Sequence, residues 1–408
     1  MPPPPPPRVL LADADAFYVA VARMVDPEGA GQAKLLIVGG TAESRGVVCS
    51  ASYETRKYGV RSAMPIARAL RLCPGAMCVP VPRKECSRKS AEIRGVLQRF
   101  SPVVEGASID EWYLDLGGTE ALYKGESLAE TAQRIRTAVR EKVGLTISVG
   151  GGTNKLVAKL AVELAKPKPG NDATGVHIVE PGMEAEFMLR FNLADIPLIG
   201  PRFQERLHRA GLRTVQHVLE QELSSLIQWF GEREGRWLYD RVRGIDRGHV
   251  APREEQRSIS REDTFPRDLS DDTELERVLL RLAGRAAADL RADGLAARTV
   301  TVKLRDADFR TRQGSRTLPE PVVSDRVVFE TARAILRRLR ANRRCPARLL
   351  GVSLSSLVAD PSPSQLALFD GNAGAEPPIE TPRDRALSRA VDELRARFGN
   401  DVIRPPGV

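Results

Sequence analysis

Apolar and polar positions follow two periods along the first half of the chain. Period-two or continuous apolar runs predict strands over 8–17, 35–38, 46–51, 103–105, 108–115 and 145–150. Between them, 3.6-residue amphipathic patterns predict helices over 84–100, 127–143 and 153–166. Thr153 is the expected N-cap of the last helix, and Pro167 stops it. From 171 to about 244 the pattern turns helical and loop-rich, and 243–256 is polar enough to read as a linker. Beyond it the order is strand 257–265, helix 273–292, strands 297–305 and 312–318, helix 324–342 and strand 347–357. That β-α-β-β-α-β succession resembles a ferredoxin-like split unit. The tail from 359 is rich in Pro, Ser and Gly, with a helix expected near 382–398. Ala386, Leu387, Ala390, Val391, Leu394 and Phe398 share one face of it, a face that docks on the body or binds a partner. No internal repeat is visible, and the whole reads as an α+β multidomain chain.

Length and composition narrow the class. A chain of 408 residues holds more than one core, at about 100–200 residues per domain. With 42% apolar and 28% charged residues it has globular composition, and no run approaches the ~20 apolar residues of a membrane helix. Pro2–Pro7 followed by Arg8 lacks the apolar core of a signal peptide and reads as a disordered proline leader. Five cysteines and four histidines show no zinc spacing and read as structural or incidental, which fits a cytoplasmic address. Lys and Arg number 62 against 53 Asp and Glu, a net +9 that favours a polyanionic partner. Residues 246–358 hold 23 of those bases against 17 acids, so the grip is expected mainly from there.

The candidate chemistry lies where acids interrupt apolar runs. Asp13 and Asp15 break Val9–Tyr18, and Asp110 and Glu111 break Ser108–Asp115. Strand alternation puts Asp13 and Asp15 on one face, while Asp110 and Glu111 point apart unless the strand bends. Such acids are strand-end groups facing water, partners of the many arginines, or ligands of a metal. Without His or Cys beside them, all-oxygen ligation suits Mg²⁺ or Mn²⁺. Tyr53 and Arg56, three apart on a helical turn, could donate to phosphate oxygens. Lys155, Lys159 and Lys166 line a helix opened by Gly150-Gly151-Gly152, which lacks the ending of a P-loop. Those bases equally suit a solvated helix face. Ile196–Gly200 between two short helices is either a helix-hairpin-helix whose amides grip a phosphate or a plain helical corner.

Taken in order, Leu11–Tyr18, Ser52–Pro65, Ser108–Asp115, Asn154–Pro167, Ile196–Gly200 and Ser258–Phe265 resemble a Y-family translesion DNA polymerase, of the bacterial DNA polymerase IV (DinB) type. The resemblance spans residues 8–358. It implies a right hand: palm over 8–23 and 80–170, fingers over 24–79, thumb with a helix-hairpin-helix over 171–243, linker 244–256, and little finger 257–358. It also implies low-fidelity, template-directed synthesis past lesions by two-metal nucleotidyl transfer. Asp13, Asp110 and Glu111 would hold two Mg²⁺ ions, with the Ala14 carbonyl assisting. Tyr53, Arg56 and Lys166 match triphosphate contacts, and Tyr18 matches the ring that excludes a ribose 2′-hydroxyl. Asp15 matches a nearby acid of open role. Val47, Cys49 and Ala63 map to the finger wall over the nascent base pair, whose short side chains leave the pocket roomy.

Primer–template DNA would be held at Gly200 of the thumb and by Arg298, Lys303, Arg305, Arg310, Arg312 and Arg316, about half of which strand alternation turns toward it. In the tail, Gln365, Leu366, Leu368 and Phe369 resemble a peptide that docks on a sliding clamp, with the enzyme otherwise a monomer. Trp112 stands where the family usually has a small residue, and Leu198 where glycine is common. The rival readings are a non-catalytic polymerase-like adaptor, which would lack the acidic triad, and a metal-dependent nuclease, which would not need Tyr18 or the Tyr53–Arg56–Lys166 set.

Overall fold

Val9 and Leu11 face one way from the first strand, Leu10, Ala12 and Ala14 the other, and each set meets its own layer of apolar side chains. The structure is a computed structural model describing residues 6–119, 122, 125–167, 172–252, 256–360 and 379–399. It divides into two compact units, residues 1–42 with 46–253 and residues 43–45 with 254–408. Most of the proline leader and the Gln365–Phe369 peptide lie outside the described residues.

In the first unit β1 (Val9–Ala14) turns into α1 (Phe17–Val25), followed by β2 (Leu36–Gly39), β3 (Val48–Ala51), α2 (Tyr53–Arg56), α3 (Ile66–Leu72) and β4 (Met77–Val79). Next come α4 (Arg83–Leu97), β5 (Val103–Gly106), β6 (Glu111–Asp115), α5 (Leu128–Val143), β7 (Ile147–Gly152), α6 (Lys155–Ala165) and β8 (Val176–Ile178). The helices α7 (Glu184–Met188), α8 (Pro201–Arg209), α9 (Val215–Leu219), α10 (Leu223–Phe230) and α11 (Glu232–Val242) complete it. One sheet runs β5-β6-β1-β7-β8 and a smaller one β3-β2-β4.

The even face of β1 packs with Ile93 and Leu97 of α4 and Ile135 and Val139 of α5. Trp112 fills this same core, 2% exposed, on the side away from Glu111. The odd face packs against Ala158 and Val162 of α6. Here the glycine run has a different job from the one expected. It ends strand β7 rather than opening the helix, and a Cβ at Gly150 would fall 2.1 Å from the Val162 nitrogen. Only glycine lets the helix backbone lie that close to the sheet. Asn154 caps α6 through Val157 N–H at 3.0 Å, while the expected cap, Thr153, donates to Glu184 instead.

Two boundaries differ from expectation. β8, from the stretch assigned to the thumb, joins the larger sheet by parallel pairing with β7. The first part of the linker is not loose: Val250 is buried with Val9 and Leu11, and Ala251 N–H donates to Glu105 at 2.9 Å.

The second unit holds β9 (Ser258–Leu269), α12 (Asp272–Ala292), β10 (Leu295–Asp306), β11 (Thr311–Val322), α13 (Asp325–Asn342), β12 (Ala347–Ala359) and α14 (Pro382–Phe398). The expected β-α-β-β-α-β succession is present, as an antiparallel sheet ordered β11-β10-β12-β9. Helix α14 does dock on this unit, but through its polar side. Arg291, whose side chain is 6% exposed, binds Asp392 at 2.6 Å and Asp325 at 2.8 Å, and Arg326 binds Asp384 at 2.7 Å. A buried guanidinium left without carboxylates is costly, so these pairs set which face turns inward. Leu387 and Phe398, from the expected docking stripe, are each 64% exposed.

Candidate active site

Strands β1 and β6 pair with Asp13 opposite Glu111, which sets both carboxylates on one face of the sheet. Asp110 stands just before β6, in a bend rather than in the strand. That bend relieves the parity conflict between neighbouring acids. Its carbonyl accepts from Ala14 N–H at 2.9 Å, and its carboxylate accepts from the Ser108 hydroxyl. Asp15 is held differently, accepting from Ser148 Oγ at 2.6 Å.

Asp13, Asp110 and Glu111, but not Asp15, line a cavity of about 170 Å³ together with Ala14, Tyr18, Tyr53, Arg56 and Lys166. Cys49 also reaches it, whereas Val47 and Ala63 do not line it. Ser50 and Ser62 do, and nothing in their spacing marked them. Tyr18 arrives there because β1 ends at Ala14 and not at the expected Phe17. Ala16 takes left-handed angles (φ 45°, ψ 44°) and starts α1 at Phe17, so Tyr18 lies in the first helical turn. Arg56 donates from Nε to the Ala51 carbonyl at 2.9 Å and lies 5.0 Å from the centre of the Tyr53 ring. Burial, then Asp15, raises the Tyr53 phenol above its ordinary range.

Two ammonium groups occupy the acids. Lys166 Nζ lies 2.9 Å from Asp13, and Lys159 donates to Glu111 Oε1. Asp13 is only 5% exposed, and burial pushes its carboxyl up to about 7 despite Lys166 beside it. Burial lowers Lys166, but Asp13 and Glu163 outweigh that and raise it. An oxygen-only donor set, with Asp13 buried and Asp110 and Glu111 half-buried, whose carboxylates already draw in cationic side chains fits a hard divalent ion. Asp306, Asp308 and Cys345 also have ligand atoms within 4.8 Å of one another and could hold a metal ion by that measure. Yet Arg312 and Arg343 already neutralise Asp306, and Arg343 binds Asp308 at 2.8 Å.

Asp13 must be ionised to bind a cation, so ion binding competes with its proton. Below about 7 the carboxyl is protonated, and above it the carboxylate is ionised beside Lys166. Mn²⁺ affinity of the free protein, followed by electron paramagnetic resonance, is expected to weaken roughly tenfold from pH 8 to pH 6. Asp13→Asn should flatten that dependence; an equal slope in the variant would assign the proton elsewhere.

Residues 12–163 match the impB/mucB/samB family, residues 256–368 the C-terminal domain of that family, and residues 194–246 the thumb domain of DNA polymerase iota. The chain is 35% identical over 398 residues to DNA polymerase IV of Desulfatibacillum aliphaticivorans, covering 97% of this chain and 96% of that one. It is 40% identical over 351 residues to DNA polymerase IV of Halorhodospira halophila, covering 86% and 95%. A solved Y-family DNA polymerase chimera of Dbh and Dpo4 superimposes with a TM-score of 0.75 at 24% identity, over 86% of this chain and 99% of that one. The chain belongs to the Y-family DNA polymerases of the polymerase IV type.

It is a translesion DNA polymerase with the right-hand fold of that family. An insertion ternary complex of Dbh DNA polymerase is a further relative of known structure, with a TM-score of 0.58 and 25% identity over 85% of this chain and 98% of that one. The adaptor reading finds no support, since all three acids are present and share one cavity. Among the described residues, no helix is long and apolar enough to cross a membrane.

In this polymerase the expected DNA-facing bases divide by register. Lys303 opposes Gln313 and Arg305 opposes Thr311, on the sheet face that also carries the Thr301–Ser315 pair. Arg298, Arg310 and Arg316 are exposed, although Arg316 opposes the buried Val300 and so shares the parity of Arg312. Arg312 is the correction. It opposes Leu304 on the helix-covered face, with its guanidinium bound to Asp306 at 2.8 Å and to the Leu339 carbonyl. Its work is structural because alternation turns it inward.

In the hairpin of the polymerase, Gly200 is the N-cap of α8, where a Cβ would meet open space. Leu198 has φ 74° and is 77% exposed. A left-handed residue with a Cβ costs about 1–2 kcal/mol, of which glycine's extra unfolded freedom returns about half. Leu198→Gly is therefore expected to stabilise the protein by up to ~1 kcal/mol in urea unfolding. A destabilised variant would show that Leu198 packs usefully where it stands.

Proposed function

We propose that this enzyme extends a DNA primer by two-metal nucleotidyl transfer, with Asp13, Asp110 and Glu111 as the side-chain ligands and the Ala14 carbonyl assisting. The observation that carries this reading is the convergence of the triad, Tyr53, Arg56, Lys166 and Tyr18 on one cavity from four separate stretches of chain. Two Mg²⁺ ions bound there, or Mn²⁺ in their place, would make the primer 3′-hydroxyl a better nucleophile and carry the charge of the leaving pyrophosphate. The chain's own residues do the rest. Lys166 exchanges the Asp13 carboxylate for a phosphate of the incoming dNTP, Arg56 and Tyr53 donate to the other phosphate oxygens, and Tyr18 stands under the sugar. Val47, Cys49 and Ala63 remain assigned to the base-pair wall, with Cys49 nearest the cavity.

In this reading the β5-β6-β1-β7-β8 sheet is the palm, β3-β2-β4 belongs to the fingers, and α7 to α11 form the thumb. The second unit is the little finger, holding primer–template DNA through Lys303 and Arg305 with Arg298, Arg310 and Arg316 flanking. The α8 N-terminus at Gly200 meets a backbone phosphate. Gln365, Leu366, Leu368 and Phe369 tether a monomeric, cytoplasmic enzyme to the sliding clamp. The test is single-nucleotide extension with each dNTP against each template base in Mg²⁺. Incorporation that follows the template, with frequent mispairs, supports the assignment. Incorporation indifferent to the template base, or strand cleavage instead of extension, would overturn it.

A further inference from the structure

Helix α6 meets the sheet with three lysines, and each has a different carboxylate. Lys155 binds Glu105 at 2.8 Å and lies 5.1 Å from the centre of the Tyr113 ring, joining helix, strand and the 249–251 segment. Lys166, at the C-cap, lines the cavity beside Asp13. Lys159 lies between them in sequence, one helical turn beyond Lys155, and reaches Glu111. It is not among the cavity-lining residues, although Glu111 is. Its ammonium therefore approaches Glu111 from the helix side, while the carboxylate faces the cavity.

We propose that Lys159 is a positioning residue for the polymerase reaction: by holding Glu111 Oε1 it fixes the carboxylate's angle and leaves the second oxygen for a cation. This rests on Glu111 being a metal ligand. The geometry gives Lys159 a fixed base to act from. Its helix lies against β7 at Gly150, where no side chain separates the two backbones. Glu111 sits in β6 directly opposite Asp13, so a change in its angle alters the spacing of the whole triad. Glutamate has three rotatable bonds and no other partner type is needed to lock it; a single charge-assisted hydrogen bond to one oxygen is enough. The ammonium also offsets repulsion among three nearby carboxylates and opposes early entry of a cation.

These two effects have opposite signs, which separates positioning from mere packing. Wild type, Lys159→Met, Lys159→Arg, Glu111→Gln and the Lys159→Met/Glu111→Gln pair are compared in single-nucleotide insertion with Mg²⁺. In Lys159→Met, kcat is expected to fall roughly 10–100-fold with the KM for dNTP changed less than about threefold. Mn²⁺ binding to the nucleotide-free protein, read by electron paramagnetic resonance, is expected to tighten roughly three- to tenfold, since a like charge has gone. The melting temperature stays near wild type, and Lys159→Arg restores both readouts. On the Glu111→Gln background Lys159→Met adds less than about twofold. Unchanged kcat and Mn²⁺ affinity, a raised KM at constant kcat, or a full further loss in the double variant would each overturn the proposal. A silent Glu111→Gln would instead overturn the ligand assignment of Glu111 itself.

Discussion

Alanine at Asp110 or at Glu111 is expected to lower primer extension by about 10³-fold or more, and alanine at both to leave no detectable product. Either change removes one carboxylate from a cavity whose other anionic groups cannot move to replace it. Asp13 is fixed in β1, and Asp110 is fixed in its bend through Ala14 N–H and Ser108. The fold should survive. Neither acid is part of the buried apolar core, and the buried neighbour Trp112 faces the helices on the opposite side. DNA binding should survive too, because the bases proposed to carry it belong to the second unit. Extension by the double variant at even a few per cent of wild type would contradict the assignment of these acids.

Tyr18→Ala is expected to relax sugar selection by about 100-fold or more, measured as the ratio of kcat/KM for a dNTP and the matching ribonucleotide. The ring reaches the cavity from the first turn of α1 and packs edge-on against Phe17, with centroids 5.6 Å apart. Phe17 is itself 2% exposed, so the tyrosine is braced from behind and cannot easily swing away from a 2′-hydroxyl. Tyr18→Phe should keep the discrimination, since bulk rather than the phenol does the excluding. Equal ratios in wild type and Tyr18→Ala would remove the gate from this residue.

Much of this site was legible in the sequence because carboxylates are rare within apolar strands. Asp13 and Glu111 advertised themselves by interrupting such runs, and register then placed them opposite each other. What stayed hidden depends on relations that periodicity does not carry. The bend at Asp110 was named as a condition but not located. Gly150–Gly152 reads in the sequence as the opening of a helix, whereas close approach of α6 to the strand is the reason for the first of them. Spacing showed three lysines on α6 without showing which carboxylate each would meet. Alternation implied that only about half of the second unit's named bases would face DNA. Choosing Arg312 as inward, however, required its register against Leu304. On α14 the apolar stripe was visible, while the buried Arg291 that decided the docking face lies about a hundred residues earlier. Long-range partners of buried charges are the part of a fold that local pattern conveys least.

The most direct test of the central claim is a crystal structure with primer–template DNA, a non-hydrolysable dNTP and Mn²⁺, with the ions located by anomalous scattering. Two manganese peaks among Asp13, Asp110, Glu111 and the triphosphate, with Lys166 drawn from Asp13 onto phosphate, are the expected result. Manganese absent from those carboxylates, or found only near Asp306 and Asp308, would contradict it.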